Sequence, residues 1–246
     1  MTRRRAPLVS PQQVRADRAE PVTFSHLGLV PYQQAWNLQR ELVEQRREGT
    51  RGDLLLLLEH PAVYTLGKRT DRAHLRYDDA TRQRHGIDLV EVDRGGDITY
   101  HGPGQLVGYP IFKLASIRSV VDYVRALEQL LIDTLARFDV SAERSTGYTG
   151  VWVNDEKIAA IGVRVASGAI SSHGFALNVT TRMDDFLGIV PCGISDRGVT
   201  SLQTLGVETT VDEVARAVVD TAIQLFGATL VEASPDELLS RMEPTS

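Results

Sequence analysis

The sequence predicts an α+β fold, a mixed and largely antiparallel sheet packed with helices, on three observations. Short apolar strand patterns occur in runs joined by turn-forming residues. Strong helical periodicity is confined to a few long segments. Those helices separate groups of hairpin-linked strands and do not alternate with single strands as βαβ units would.

Residues 22–27 read as a first strand. Residues 32–48 read as a helix with Ala35, Leu38, Leu42 and Val43 on its apolar face and Gly49 closing it. Residues 54–59 are a continuous apolar run bounded by Gly52-Asp53 and His60-Pro61, the pattern of a buried strand. Residues 62–66, ended by Gly67, and residues 88–92 are further strands. Arg94 to Pro110 holds five glycines and two prolines in seventeen residues. It is expected to be a loop, neither ordinary helix nor ordinary strand, with residues 108–112 leading out of it.

The strongest helical pattern is 120–138, where Val120, Val124, Leu127, Leu131, Leu135 and Phe138 recur at three- and four-residue steps. Residues 147–153, 157–165 and 170–178 read as an antiparallel meander with turns at Asn154-Asp155-Glu156 and Ala166-Ser167-Gly168. Thr210 and Glu213 have capping-box spacing for a helix through residue 226. A last short helix is expected over 235–242.

The chain has 246 residues and no repeat or low-complexity spacer. One domain over 21–246 is expected, preceded by a mobile extension over residues 1–20. The basic start, Arg3-Arg4-Arg5, has no apolar stretch behind it, so no secretory signal is read. The longest uninterrupted apolar run, Leu54 to Leu58, is far short of the ~18 residues that span a bilayer, which argues against membrane insertion. The single cysteine fits a reducing compartment, and the expected localisation is cytoplasmic.

A net charge of −5 gives no general attraction to nucleic acid. Locally, Lys68, Arg69, Arg72, Arg76, Arg82, Arg84 and His85 are opposed only by Asp71, Asp78 and Asp79. That stretch is either a solvated face or a dock for an acidic protein.

Three segments suggest acyl-transfer chemistry. The first is the glycine-rich stretch, where His101 is a candidate donor or general base and close backbone approach to a ligand is expected. The second is Val190-Pro191-Cys192-Gly193-Ile194. Pro191 and Gly193 put the lone thiol in an irregular turn, where following N–H groups would point at a bound carbonyl oxygen; a buried, inert cysteine is the alternative. The third is Lys157, which opens an apolar strand pattern. It would favour the thiolate and shuttle protons if it faces the site, and would be a solvated strand-start lysine if it does not. Other site types fail. Gly67-Lys68 lacks the remaining P-loop residues, and the six histidines show no metal-binding spacing, so no metal and no cofactor are expected.

Arg94-Gly95-Gly96-x-x-Thr99-Tyr100-His101-Gly102-Pro103-Gly104-Gln105 closely resembles a motif of the lipoyl(octanoyl) transferases. So do Lys157-Ile158-Ala159-Ala160-Ile161-Gly162, His173-Gly174-Phe175-Ala176-Leu177-Asn178 and Pro191-Cys192-Gly193-Ile194. The resemblance runs from about residue 22 to about residue 226. It implies the fold of biotin and lipoate protein ligase catalytic domains. It also implies octanoyl transfer from acyl carrier protein to a lysine of lipoyl domains, namely those of 2-oxoacid dehydrogenase E2 subunits and the glycine cleavage H protein. By the same resemblance Cys192 is the thioester-forming nucleophile and Lys157 its activator. Arg94, Gly95, Gly96, Asp97, Ile98, Thr99, Tyr100 and His101 lie along the acyl substrate, as do Ala160, Ile161, Gly162, Gly174, Phe175 and Ala176. The enzyme is expected to be a monomer. The rivals are an ATP-dependent lipoate or biotin protein ligase, which needs no thiol, and a non-catalytic module that binds acylated protein.

Overall fold

The computed structural model describes residues 10–116, 120–193 and 197–239. In chain order the elements are β1 (Val22–Leu29), α1 (Tyr32–Glu48), β2 (Leu54–Glu59), β3 (Val63–Leu66), α2 (Asp79–Arg84), β4 (Asp88–Glu91) and β5 (Ile98–His101). They continue with β6 (Gln105–Ile111), α3 (Val120–Ala136), β7 (Val151–Val153), β8 (Glu156–Ala166), β9 (Ile170–Asn178), α4 (Val211–Phe226), β10 (Leu230–Glu232) and α5 (Pro235–Leu239).

Among the described residues the main sheet runs in the order β10-β1-β2-β6-β9-β8-β7. Its first three strands are parallel and the rest pair antiparallel, with β7-β8-β9 forming the expected meander. The leucine run of β2 shows why this sheet needs helices on both faces. Leu54, Leu56 and Leu58 pack with Leu38 and Leu42 of α1, whereas Leu55 and Leu57 join Leu127 and Leu131 of α3 and Val214 and Val218 of α4 on the other face. Side chains alternate across a strand, so a strand covered twice is apolar at every position. Local signals fix the helix ends. Gly49 ends α1 in the left-handed region at φ 75°, and the Thr210–Glu213 capping box opens α4.

A smaller sheet, β4-β3-β5, has its own core of Tyr64, Leu66, Ile98, Tyr100, Phe186 and Ile189. The Tyr64 hydroxyl donates to the Asp185 carbonyl at 2.6 Å and the Tyr100 hydroxyl to the Asp185 carboxylate at 2.8 Å. These bonds anchor the chain just before the Pro191-Cys192-Gly193 turn.

Two expectations are corrected. Much of the glycine-rich stretch is strand, β5 and β6, while residues 94–97 bend and residues 102–104 turn. Gly108 lies inside β6 because a β-carbon there would fall 2.1 Å from the Phe175 ring on β9. Pro110 is tolerated because the β6–β9 ladder stops at Gly108; the Ser171 hydroxyl donates to the Pro110 carbonyl at 2.8 Å and accepts from the Phe112 N–H at 2.9 Å. Second, residues 147–150 are not strand; β7 begins at Val151, because Gly147 and Gly150 both take positive φ. Residues 10–20 of the expected N-terminal extension make contacts with the domain. Val14 is fully buried, and Arg15 donates to the Asp53 carboxylate at 2.6 Å, which Arg46 shares at 2.7 Å. Residues 1–9, and residues 240–242 of the last expected helix, lie outside the described residues.

Candidate active site

A cleft of about 490 Å³ opens between the smaller sheet and the β8–β9 face of the main sheet. Its floor is a patch of small residues. Ala160 and Gly162 of β8 stand in register with Ala176 and Gly174 of β9. Its roof comes from Gly95, Gly96, Asp97, Thr99 and His101. Small side chains on the floor leave room for a narrow apolar ligand, and Ile161 and Phe175 also line the space.

The roof is rigid. Arg94 is buried and its guanidinium donates to the Thr65 carbonyl and hydroxyl at 2.7 and 2.8 Å and to the Gly95 carbonyl at 3.0 Å. The Gly95 N–H donates to the Val163 carbonyl on β8 at 3.0 Å, which ties roof to floor. Strand alternation divides the expected substrate residues: Thr99 and His101 face the cleft, whereas Ile98 and Tyr100 turn away into the core of the smaller sheet. The side chains of Ile98 and Tyr100 are thus in the core of the smaller sheet and outside the cleft lining.

His101 is held in one tautomer. Gln105 donates through Nε2 to the Tyr100 carbonyl at 3.2 Å and to Asn178 Oδ1 at 2.9 Å, while Asn178 donates to the Thr200 carbonyl at 2.9 Å. These carbonyl acceptors orient both amides, so Gln105 Oε1 is the acceptor for His101 Nδ1–H at 2.7 Å. Burial, and then neighbouring His60, hold the His101 pKa well below its ordinary value. A neutral imidazole with its proton on Nδ1 keeps an acceptor at Nε2. His60 is neutral for the same reason: burial lowers its pKa to about 4. It donates through Nδ1 to the Val30 carbonyl and accepts from the Tyr109 hydroxyl, both at 2.7 Å.

Lys157 is buried in the cleft wall and does not face solvent, with its ammonium nitrogen 4.9 Å from the centre of the Trp152 ring. Its backbone is bound to the stretch that follows the cysteine. Lys157 N–H donates to the Gly198 carbonyl at 3.0 Å, and Thr200 N–H donates to the Lys157 carbonyl at 3.1 Å. A second, much smaller cavity is lined by Lys157, Thr99, Gln105, Asn178 and Pro191. The structure thus brings the lysine to the turn that carries Cys192.

That turn, Pro191–Gly193, is a single 3₁₀ turn; the Cys192 side chain and Ile194 lie outside the described part of the structure. The expectation of a free N–H just after the cysteine is corrected at Gly193, whose N–H donates to the Val190 carbonyl at 3.1 Å. Glycine is needed here for its φ of 69°.

Sequence reasoning passed over Tyr32 and His60, whose rings pack against His101, Tyr109, which donates to His60, and Asp93, which accepts from His173 Nε2 at 2.8 Å. It also passed over Glu128 of α3, fully buried, which accepts from Arg125, Arg144 and the Gly150 N–H and so fixes the loop beside Tyr148 and Thr149 at the cleft. A glutamate on the buried face of an amphipathic helix is the one signal that would have found it. Among the described residues, no group of three or more His, Cys, Asp or Glu side chains could hold a metal ion, and no helix is long and apolar enough to cross a membrane.

This fold is that of the lipoyl protein ligase A/B catalytic domain. Residues 31–223 match that family, and the chain belongs to it. Within it, the chain is 53% identical over 192 residues to an octanoyltransferase of Acidobacterium capsulatum, covering 72% of this chain and 78% of that one. It is 50% identical over 202 residues to an octanoyltransferase of Rubrobacter xylanophilus, covering 81% and 91%. Among solved structures, a lipoate-protein ligase A bound with ATP superposes with a TM-score of 0.73 at 16% identity, covering 91% of this chain and 94% of that one. A bipartite lipoate protein ligase from Thermoplasma acidophilum gives 0.71 at 17%, covering 91% and 92%. At these identities the likeness is one of fold, and it agrees with the α+β architecture read from the sequence.

Proposed function

We propose that this protein is an octanoyltransferase of protein lipoylation. It moves octanoyl from the thioester of octanoyl-acyl carrier protein to the target lysine of a lipoyl domain through a thioester on Cys192. The observation that carries this reading is the placement of Lys157, buried in the wall of the acyl-sized cleft and hydrogen-bonded on both sides to the segment following the Cys192 turn. The names of the relatives support the same activity.

In the first half-reaction Lys157 accepts the Cys192 proton and the thiolate attacks the donor carbonyl. The bond from that carbonyl to the carrier sulfur breaks, and the carrier thiolate leaves with the proton held by Lys157. In the second half-reaction the acceptor amine attacks the Cys192 thioester, the carbon–sulfur bond breaks and an amide forms. The amine proton passes through Lys157 to the departing Cys192 thiolate. His101, neutral with Nε2 free to accept, is the second candidate for proton transfer. Exchange between thioesters is nearly energy-neutral and amide formation from a thioester is downhill, so neither half needs ATP. The acceptors are the lipoyl domains of 2-oxoacid dehydrogenase E2 subunits and the glycine cleavage H protein. The enzyme works in the cytoplasm, where its thiol stays reduced.

The test is intact-mass analysis after mixing the protein with an octanoyl thioester. An adduct of one octanoyl group, released by hydroxylamine and absent in Cys192→Ala, is expected. An adduct that persists in Cys192→Ala overturns the mechanism.

A further inference from the structure

Asp97 and His74 form a pair that no step above uses. His74 Nδ1 donates to Asp97 Oδ2 at 2.6 Å, and the other carboxylate oxygen accepts the Ile98 N–H at 2.7 Å. Both groups are largely shielded, His74 at 26% and Asp97 at 13% exposure, so the bond is less open to water than a surface ion pair. Asp97 lines the cleft, whereas His74 stands behind it.

The pair rests directly against the residue after Cys192. A β-carbon built on Gly193 would lie 2.8 Å from Asp97 Oδ2 and 2.9 Å from His74 Cε1. His74 also grips the chain before the cysteine, since its carbonyl accepts the Val190 N–H at 2.8 Å. Next to it, Leu75 bridges Ile189, and Arg76 N–H donates to the Gly188 carbonyl at 2.8 Å. One residue therefore touches the nucleophile turn at both ends, through its main chain at 190 and its side chain at 193. Asp97 joins that residue to the acyl-binding roof.

We infer that His74 and Asp97 are a positioning pair which holds the Cys192 turn in register with the acyl cleft. The inference rests on the proposed role of Cys192 as nucleophile. Catalysis by a positioned thiolate depends steeply on the approach of sulfur to carbonyl, and small misplacements cost on the order of 10²-fold in rate. The pair supplies a constraint that the turn lacks by itself, being a single 3₁₀ turn whose glycine is held at φ 69°. His74 itself does not line the cleft, whose floor and Arg94-braced roof surround the ligand space. Loss of His74 is therefore expected to change rate more than affinity.

The experiment is rapid-mixing acylation by octanoyl-pantetheine, a small thioester that needs no carrier docking, in wild type, His74→Ala and His74→Asn. Asn keeps an N–H donor where Nδ1 stood. His74→Ala is expected to lower the saturating acylation rate by about ten- to hundredfold while moving the half-saturating concentration by less than about threefold. His74→Asn should recover most of the rate. A merely folding-related defect would reduce the amplitude of acylated protein and leave the rate constant of the folded fraction unchanged. Wild-type rates in His74→Ala overturn the inference, as does His74→Asn being no better than His74→Ala. If wild type forms no Cys192 adduct, the nucleophile reading itself fails and the inference with it.

Discussion

The side-chain nitrogen of Lys157 lies over the indole of Trp152, 4.9 Å from the ring centre, and the Arg197 guanidinium lies 5.3 Å from the same ring centre. The aromatic face is thus placed to stabilise the charge that Lys157 gains when it takes the Cys192 proton. A cation over an aromatic ring in a shielded site is stabilised by about 0.5–2 kcal/mol. Replacing Trp152 with Phe keeps an aromatic face but weakens this attraction. Acylation of Cys192 is expected to slow by about three- to tenfold, read as a single-turnover rate on protein whose thermal melt is still cooperative. An unchanged rate would show that the ring does not hold the lysine.

Cys192 and Lys157 are expected to act as one unit, because the lysine serves only to raise the reactivity of the thiol and move its proton. Cys192→Ala should abolish the acyl-enzyme. Lys157→Arg keeps a charge but not a readily titrating amine and should slow acylation by about 10²-fold. The double variant should be little worse than Cys192→Ala. Mass spectra of quenched single-turnover reactions measure all three, and a fully active Lys157→Arg would remove the proton-shuttle role.

Turnover is expected without ATP or a divalent metal, with carrier release before the acceptor reacts. Initial rates at several fixed donor concentrations should give parallel double-reciprocal lines. Strict dependence on ATP would instead move the activity to the ligase class.

The stretch from Lys68 to Arg84 presents exposed Lys68, Arg69, Arg72, Arg76 and Arg84, and Arg69 reaches the cleft mouth. Steering of an acidic carrier by this face should weaken as salt rises. Arg72, paired at the surface with Glu91, is the cleaner probe because it does not line the cleft. Arg72→Glu should lower transfer from the carrier-bound donor by about threefold at low salt, less at high salt, and leave octanoyl-pantetheine unaffected. An unchanged carrier rate at low salt would exclude this face as the dock.

Three histidines are held neutral chiefly by burial: His60, His101 and His173. The folded state resists their protonation while the unfolded chain binds protons below about pH 6.5, so stability falls as the pH is lowered. For His60 the loss accrues between about pH 6.5 and its folded value of about 4 and then levels off. It amounts to about 2 kcal/mol by pH 5. Urea midpoints at pH 7 and pH 5 should separate more in wild type than in His60→Asn, and equal separations would refute the assignment.

Much of this protein was legible from local pattern. Helix α1 was readable from Ala35, Leu38 and Leu42 with Gly49 behind them, and α4 from Thr210 and Glu213, because caps and a 3.6-residue period act within a few residues. Residues 98–101 and 105–107 were misread as loop because what permits glycine and proline beside them is remote in sequence: the Phe175 ring fills the space at Gly108 and Ser171 takes up the broken ladder at Pro110. The contacts of Val14 and Arg15 were not legible for the same reason, since the carboxylate that binds Arg15 is Asp53.

The sequence by itself singled out the residues proposed to carry the chemistry, the lone Cys192, Lys157 and His101, and the small residues that border the cleft. Tertiary structure alone decided how they meet. Strand pairing sends Thr99 and His101 inward and Ile98 and Tyr100 outward, and the bonds from Gly198 and Thr200 draw the lysine to the cysteine turn. Gln105 and Asn178, 73 residues apart, set the proton on His101. Composition and periodicity report what a segment prefers within a turn or two, whereas direction, tautomer and proximity come from hydrogen bonds and packing between segments distant in the chain.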